Sequence, residues 1–283
     1  MNSFSDFVFD KRWRTLILIS KILVPFIAVF IYSSYSYSST QYLKVGSCGQ
    51  DNIAISYLAT EDYFIGCEAI AQTKNFFRTY GYAVDVPIHI FFNEQVTIND
   101  NTSELSHEKI HGIFNPKTMS IQICSLASSF VTNSQSFYLR IRIGEDPDST
   151  ELSKTVVEEF HRSVITHEVT HLLAQHNFNL MSAEISIDQH TMGHGVQEYI
   201  ASVVQLSSID PTLRWRILQQ YDPQIIFDHE EQINYLFYAW DPQIFLIMSF
   251  RHFQSLNTSQ QKDILDRIFS NEFNPDLSFE FEM

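Results

Sequence analysis

The sequence predicts an α+β fold, in which a small mixed sheet packs on one long helix and a mainly helical C-terminal lobe follows. Three observations carry this reading. Strand-like alternation falls between Val84 and Ile143, helix-like periodicity dominates beyond Asn177, and Thr155–Gln175 joins the two as a helix free of Pro and Gly. With 283 residues, 45% of them hydrophobic, the chain has material for one sizeable domain or two small lobes. We divide it into residues 1–38, an N-terminal α+β lobe over 39–177 and a helical lobe over 178–283.

Lys11, Arg12 and Arg14 precede a nearly continuous apolar run, Thr15–Tyr32, that only Lys21 interrupts. The eleven residues Ile22–Tyr32 suit a signal-peptide core better than a membrane span, which needs about twenty. Small residues at Ser34, Ser36 and Ser38 offer weak cleavage positions. An uncleaved membrane tether through residues 15–32, with Lys21 snorkelling, is the other reading. Both put the remainder outside the cytoplasm, secreted, periplasmic or anchored. The formal charge is −15, and residues 1–38 hold more bases than acids, so the exported part is more acidic still. Such a surface repels a phosphate backbone, and nucleic acid is not an expected partner.

Cys48, Cys67 and Cys124 are the three cysteines, none at metal-ligand spacing. Cys48 and Cys67 could tie an N-terminal strand or loop to the helix that follows, but three single pairings are open. Asn101 and Asn257 sit in N-x-S sequons. Asp62–Tyr80 has helical spacing and stops at Gly81. Val84–Phe92 reads as a strand, Asn93–Glu108 as polar loop, and Lys109–Phe114 and Met119–Cys124 as strands around the turn Asn115-Pro116-Lys117-Thr118. Phe137–Ile143 alternates as a further strand.

The long helix holds His167-Glu168-Val169-Thr170-His171. Residues four apart on a helix lie about 40° apart and one turn up, so both imidazoles aim at one point. Glu168 is rotated about 100° from His167 and stands beside that point. A zinc ion fits the pair, with Glu168 placed to take a proton from bound water. Val157, Ile165, Val169, Leu172 and Leu173 form the core-facing arc; Phe160 and Val164 share the histidine side and would floor the site; Ser149 or Thr150 would cap the start. Eleven histidines allow a chance match, and solvated or core-packed histidines are the bland alternative; the helical context favours the metal. His194–Ser202 begins a second helix, with Val196, Ile200, Val203 and Val204 on its buried stripe and Glu198 off it. Two histidines and one carboxylate with an open fourth position make a catalytic zinc set, so Glu198 is the third ligand proposed.

These residues resemble the gluzincin zinc metallopeptidases, whose H-E-x-x-H is followed on a later helix by a ligand glutamate. The matching positions are His167, Glu168, His171 and Glu198, within about fifty residues from Val156 to Leu206. The resemblance implies a zincin-like fold, Zn2+ as cofactor, Glu168 as catalytic base, a peptide or protein substrate, and a sheet edge beside the active helix that binds an extended chain. Two departures stand out. Twenty-six residues separate His171 from Glu198, more than in compact members, and Ser202 stands where some members have an acid that orients a ligand histidine. The metzincin pattern fails, since Asn177 holds the position of its third histidine and no Gly follows until Gly193. His176 falls on another helix face and is a weak rival ligand.

Thr212–Tyr221, Glu230–Trp240, Pro242–Leu256 and Ser259–Phe269 complete the helical lobe, separated by Asp-Pro steps and Asn257. By residue type, Tyr199, His194, Tyr235 and Tyr238 are candidates to stabilise an oxyanion, and Asp188 and His190 to support or gate the site, with ordinary packing or surface roles as the alternative for each. Two other functions stay open: a zinc-stabilised extracytoplasmic interaction module without turnover, and a zinc hydrolase of a non-peptide amide or ester.

Overall fold

Alternating apolar residues make the central strands, because every second side chain of Ile53, Ile55, Ile88, Ile90, Phe92, Ile121 and Ile123 enters the core. The computed structural model describes residues 44–97, 109–128, 154–182 and 192–276. The apolar run 15–32, the strand expected over 137–143, the Ser149/Thr150 cap, Asn101, Asp188 and His190 lie outside the described residues. Among the described residues no helix is long and apolar enough to cross a membrane.

The sheet contains β1 (Lys44–Gly46), β2 (Ile53–Tyr57), β3 (Ile88–Asn93), β6 (Gly112–Asn115) and β7 (Ser120–Cys124), in the order β1-β2-β3-β7-β6. β2, β3 and β7 run parallel, while β1 and β6 are antiparallel to their neighbours and form the two edges. A separate two-stranded ribbon pairs β4 (Val96–Thr97) with β5 (Lys109–Ile110). The fold is thus α+β, with a small five-stranded sheet and a mostly helical remainder.

Several boundaries differ from the sequence reading. β3 starts at Ile88 and not at Val84, because Pro87 lacks the N–H a ladder residue donates. The expected strand Lys109–Phe114 is broken at His111 into β5 and β6. Thr97 belongs to a strand where loop was expected, and β1 and β2 were not delimited at all. The turn between β6 and β7 forms as expected: the Asn115 side chain accepts from the N–H groups of Lys117 and Thr118.

Helix α1 (Thr60–Thr79) crosses between β2 and β3 and is tied to the β1–β2 turn by the Cys48–Cys67 disulfide. Cys124 is buried and outside that bond. Helix α2 (Lys154–Met181) is the long helix, extending well past Gln175. Ile165, Val169, Leu172 and Leu173 are fully buried on its core face, as the periodicity requires, while Val157 is half-buried. Then come α3 (His194–Ser208), α4 (Pro211–Leu218), α5 (Tyr235–Trp240), α6 (Pro242–Ser255) and α7 (Thr258–Phe269). The expected helix Glu230–Trp240 is in fact a short 3-10 turn, Glu230–Gln232, and α5, divided where the Asn234 side chain caps α5 by accepting from the Phe237 N–H. One apolar core runs continuously from Ile53 on β2 through α2 and α3 to Phe269 on α7. Phe160 and Val164 do not floor the metal site. They pack with Leu206, Leu213, Ile217 and Ile247 in a second cluster that joins α2 to α3, α4 and α6.

Candidate metal centre

α2 contributes His167 and His171 from successive turns, and α3 packs along it to bring up Glu198. The stripe that seats α3 is the expected one, with Val196, Ile200, Val203 and Val204 almost wholly buried. His167 Nε2 lies 3.0 Å from His171 Nε2 and 3.3 Å from Glu198 Oε2, and His171 Nε2 lies 3.5 Å from Glu198 Oε1. Donors set about 2.0–2.1 Å from a tetrahedral ion stand about 3.3 Å apart, so the three spacings match the edges of one coordination face. Two imidazole nitrogens 3.0 Å apart need a proton or a cation between them, since two bare lone pairs repel. Glu198 Oε2 is buried and, among the described residues, meets no donor in good hydrogen-bonding geometry, although His167 Nε2 is near. The chemistry and spacing of the donors fit a divalent cation. His176 takes no part in this group.

Charges inside the centre pull the three groups apart. Burial pushes the Glu198 carboxyl up, but His171, His167 and the Tyr238 hydroxyl outweigh it and hold the carboxyl near 2. Burial pulls His167 down, yet Glu198, Glu168 and Gln205 raise it to about 9. His171 is lowered to about 4 by burial, against the attraction of Glu198. Of the two imidazoles, His167 beside Glu198 is therefore the one that takes up a proton more readily.

Glu168 stands beside the ligands, 9% exposed, with its carboxyl raised to about 7 by burial and by Glu198, against the pull of His167 and a backbone hydrogen bond from Phe114. That contact comes from the sheet edge. His111 accepts from the Cys124 N–H, so on β6 the odd positions pair with β7 and the groups of Gly112 and Phe114 turn outward. The outward edge faces α2. A Cβ on Gly112 would stand 2.9 Å from Glu168 Cγ and 2.7 Å from Ile123 Cδ1, so only glycine lets the strand lie this close. Phe114 stacks on His171, ring centroids 6.4 Å apart.

The opposite wall is α5. Its Tyr238 hydroxyl reaches the Glu198 carboxylate, and the phenol is held above its usual range mainly by burial and by the Glu198 and Glu168 charges. His194, at the start of α3, is exposed and touches the Tyr235 ring. Its charge is felt at His171. Of the four oxyanion candidates, then, Tyr238 reaches the centre, Tyr235 packs on Tyr238 and on the exposed His194, and Tyr199 lies elsewhere. Tyr199 is fully buried and hydrogen-bonds His252 Nδ1 at 2.8 Å, deep between α3 and α6.

Gln205 is the residue that sequence reasoning missed. Its Oε1 lies 3.1 Å from His167 Nδ1, in the role an acid at position 202 was expected to fill; Ser202 is buried instead. The signal was present, because a residue seven after Glu198 returns to the same helix face two turns on.

The α+β frame and this cluster define a protein with a candidate mononuclear metal centre of two histidines and one glutamate. The chain belongs to the family of unknown function DUF6639, which matches residues 55–277 and so includes every residue of the centre. No curated protein and no solved structure matches it.

Proposed function

We propose that this chain is a zinc-dependent hydrolase of the metallopeptidase type, acting outside the cytoplasm. The observation that carries the reading is the meeting of His167, His171 and Glu198 donor atoms at tetrahedral spacing with Glu168 alongside and outside the ligand set. His167, His171 and Glu198 would hold the ion. Bound there, zinc supplies Lewis acidity toward a carbonyl oxygen and makes a water molecule more acidic. Glu168 takes the proton of the attacking water and returns it to the leaving amine. Tyr238, whose hydroxyl already reaches Glu198, is the best placed of the candidate donors to an oxyanion.

The outward edge of β6 favours a peptide over other amides or esters. An extended chain can add as a further strand to the outward backbone groups of Gly112 and the Phe114 carbonyl, the Phe114 N–H being taken by Glu168, and the bare Gly112 lets its backbone approach Glu168. Export is supported by the Cys48–Cys67 disulfide, which persists in oxidising compartments.

Metal analysis and digestion of an unbiased peptide library by the full-length protein test the reading. Expected are about one equivalent of zinc in wild type and in Glu168→Gln, and cleavage by wild type alone. Zinc without cleavage in wild type would favour the non-catalytic module, and equal cleavage by Glu168→Gln would remove Glu168 as base.

A further inference from the structure

Behind His167, away from the metal, four groups form a chain whose direction is set by an atom that cannot donate. The carbonyl of Phe160 accepts the Ser163 hydroxyl at 2.7 Å. With its proton so engaged, Ser163 Oγ presents a lone pair to the Gln205 side chain 3.3 Å away, and the end of the amide that faces it is the NH2. The amide oxygen of Gln205 must then face His167 Nδ1, at 3.1 Å. An amide oxygen only accepts, so the proton of that hydrogen bond sits on Nδ1. Ser163 and Gln205 are both buried, and neither has bulk water to offer an alternative. Among the described residues His171 has no such support, for its buried Nδ1 meets no partner there.

We propose that Gln205 is a positioning residue of the metal centre: with Ser163 and the Phe160 carbonyl it holds His167 as the Nδ1-protonated tautomer, committing Nε2 as the donor to the cation. The inference rests on the metal reading above. It assigns the two histidines unequal parts, His167 pre-oriented from behind and His171 held by packing against Phe114. It also explains how α3 can carry a buried Ser202 one turn after Glu198, because the orienting acceptor has moved one turn further along the helix. A neutral amide draws the Nδ1 proton less than a carboxylate would, so His167 is a weaker electron donor here than with an acidic partner.

Zinc dissociation constants, measured by competition with a chromophoric chelator on the full-length chain, test this, with thermal melts of each zinc-free variant to report folding. Gln205→Leu should weaken zinc binding by about 10- to 100-fold. Gln205→Glu keeps an acceptor and should bind at least as tightly as wild type, a rescue that a packing role would not produce. Ser163→Ala leaves Gln205 free to turn its amide and should fall between wild type and the leucine variant. Should the leucine variant not fold, the other two carry the test. Wild-type affinity in Gln205→Leu and Ser163→Ala would overturn the proposal and leave the metal reading standing, as would a glutamate variant no tighter than the leucine one. A wild-type chain that binds no zinc would remove both.

Discussion

Replacing Glu198 by Ala removes the ligand that comes from a separate helix, and the thermal response to zinc should disappear with it. Ligand that binds only the folded state stabilises by RT ln(1 + [L]/Kd), about 2.7 kcal/mol at a free concentration one hundred times Kd. In a domain of this size each kcal/mol moves Tm by about 2–4 °C, so zinc at that level should raise the wild-type Tm by about 5–10 °C. Glu198 supplies both oxygens of the 3.3 and 3.5 Å contacts to the imidazoles, and no other carboxylate joins the group among the described residues. Loss of a group that merely supports a ligand costs about 10- to 100-fold in affinity, so loss of the ligand itself should cost at least the upper figure. At the same zinc concentration the concentration then roughly equals the new Kd, and the stabilisation falls to about 0.4 kcal/mol, a shift of about 1 °C. Differential scanning fluorimetry with buffered zinc gives the shift within each variant, so any change in baseline stability cancels. Glu168→Gln should keep the full wild-type shift. A Glu198→Ala chain with an undiminished shift would refute the three-ligand centre, and a wild-type chain with none would refute zinc binding.

Gly112→Ala drives a methyl group to within 2.9 Å of Glu168 Cγ; peptide hydrolysis should fall by about 100-fold, the cost of misplacing a reacting group by about an ångström, while the zinc-induced Tm shift stays. Reduction of Cys48–Cys67, which closes a loop between residues 19 apart, should cost about 3 kcal/mol in urea unfolding, and a reduced protein with unchanged midpoint would remove that bond as a stabilising link. His161 is sealed between Asp62 and Phe92 and is lowered to about 3 by burial and by the nearby His111. Between its unfolded value near 6.5 and that folded value the unfolded chain binds the extra proton, so this residue withdraws stability as pH falls through that window, by up to about 1.4 kcal/mol per pH unit. Asp62, raised mainly by its own burial, offsets part of the loss. Urea midpoints at pH 6.5, 5.5 and 4.5 should converge on a shallower slope in His161→Phe, and identical slopes would show that His161 is not held neutral.

What could be read in the sequence was what one helix fixes by itself. The i,i+4 histidines, the flanking glutamate and the buried stripe of α3 all follow from a 100° step per residue, and the donor atoms meet where that step puts them. The antiparallel turn at Asn115 was legible for a similar reason, because the Asn side chain bonds its own neighbours. Long-range relations left weaker traces. β1 and β2 are short; β1 pairs with β2, and the parallel partner of β2 is β3, more than thirty residues from Ile53 in sequence. The split of Glu230–Trp240 came from Asn234, which competes for the backbone as a cap. Phe160 looked like site lining because helical phase alone cannot distinguish a cleft from a packed neighbour; α3, α4 and α6 cover that side. Gln205 leaves little trace in the sequence, because a neutral acceptor two turns after Glu198 does from a different position what an acid one turn after it could do.

Two glycines hold the walls of the centre at their distance, and neither belongs to the motif. On the sheet side, Gly112 lets β6 rest against Glu168 and leaves its outward backbone groups at the cleft. On the helical side, a Cβ on Gly195 would lie 2.3 Å from the Cα of Asn234 and 2.6 Å from the Tyr235 nitrogen, a clash of backbone with backbone that no rotamer change relieves. That contact seats the start of α5 against the start of α3, and the Asp276 carboxylate fastens both by accepting from the N–H groups of Gly195 and Tyr235 at 2.7 and 2.6 Å. One turn into each helix stand Glu198 and Tyr238, so the distance between ligand and phenol follows from the join behind them. The H-E-x-x-H helix thus supplies donors, while small residues remote from it in sequence decide how near the β6 edge and the Tyr238 hydroxyl can come. Enlarging Gly195 sets backbone against backbone and must shift α5 against α3, whereas a Cβ on Gly112 meets side-chain atoms of Ile123 and Glu168 and displaces those first.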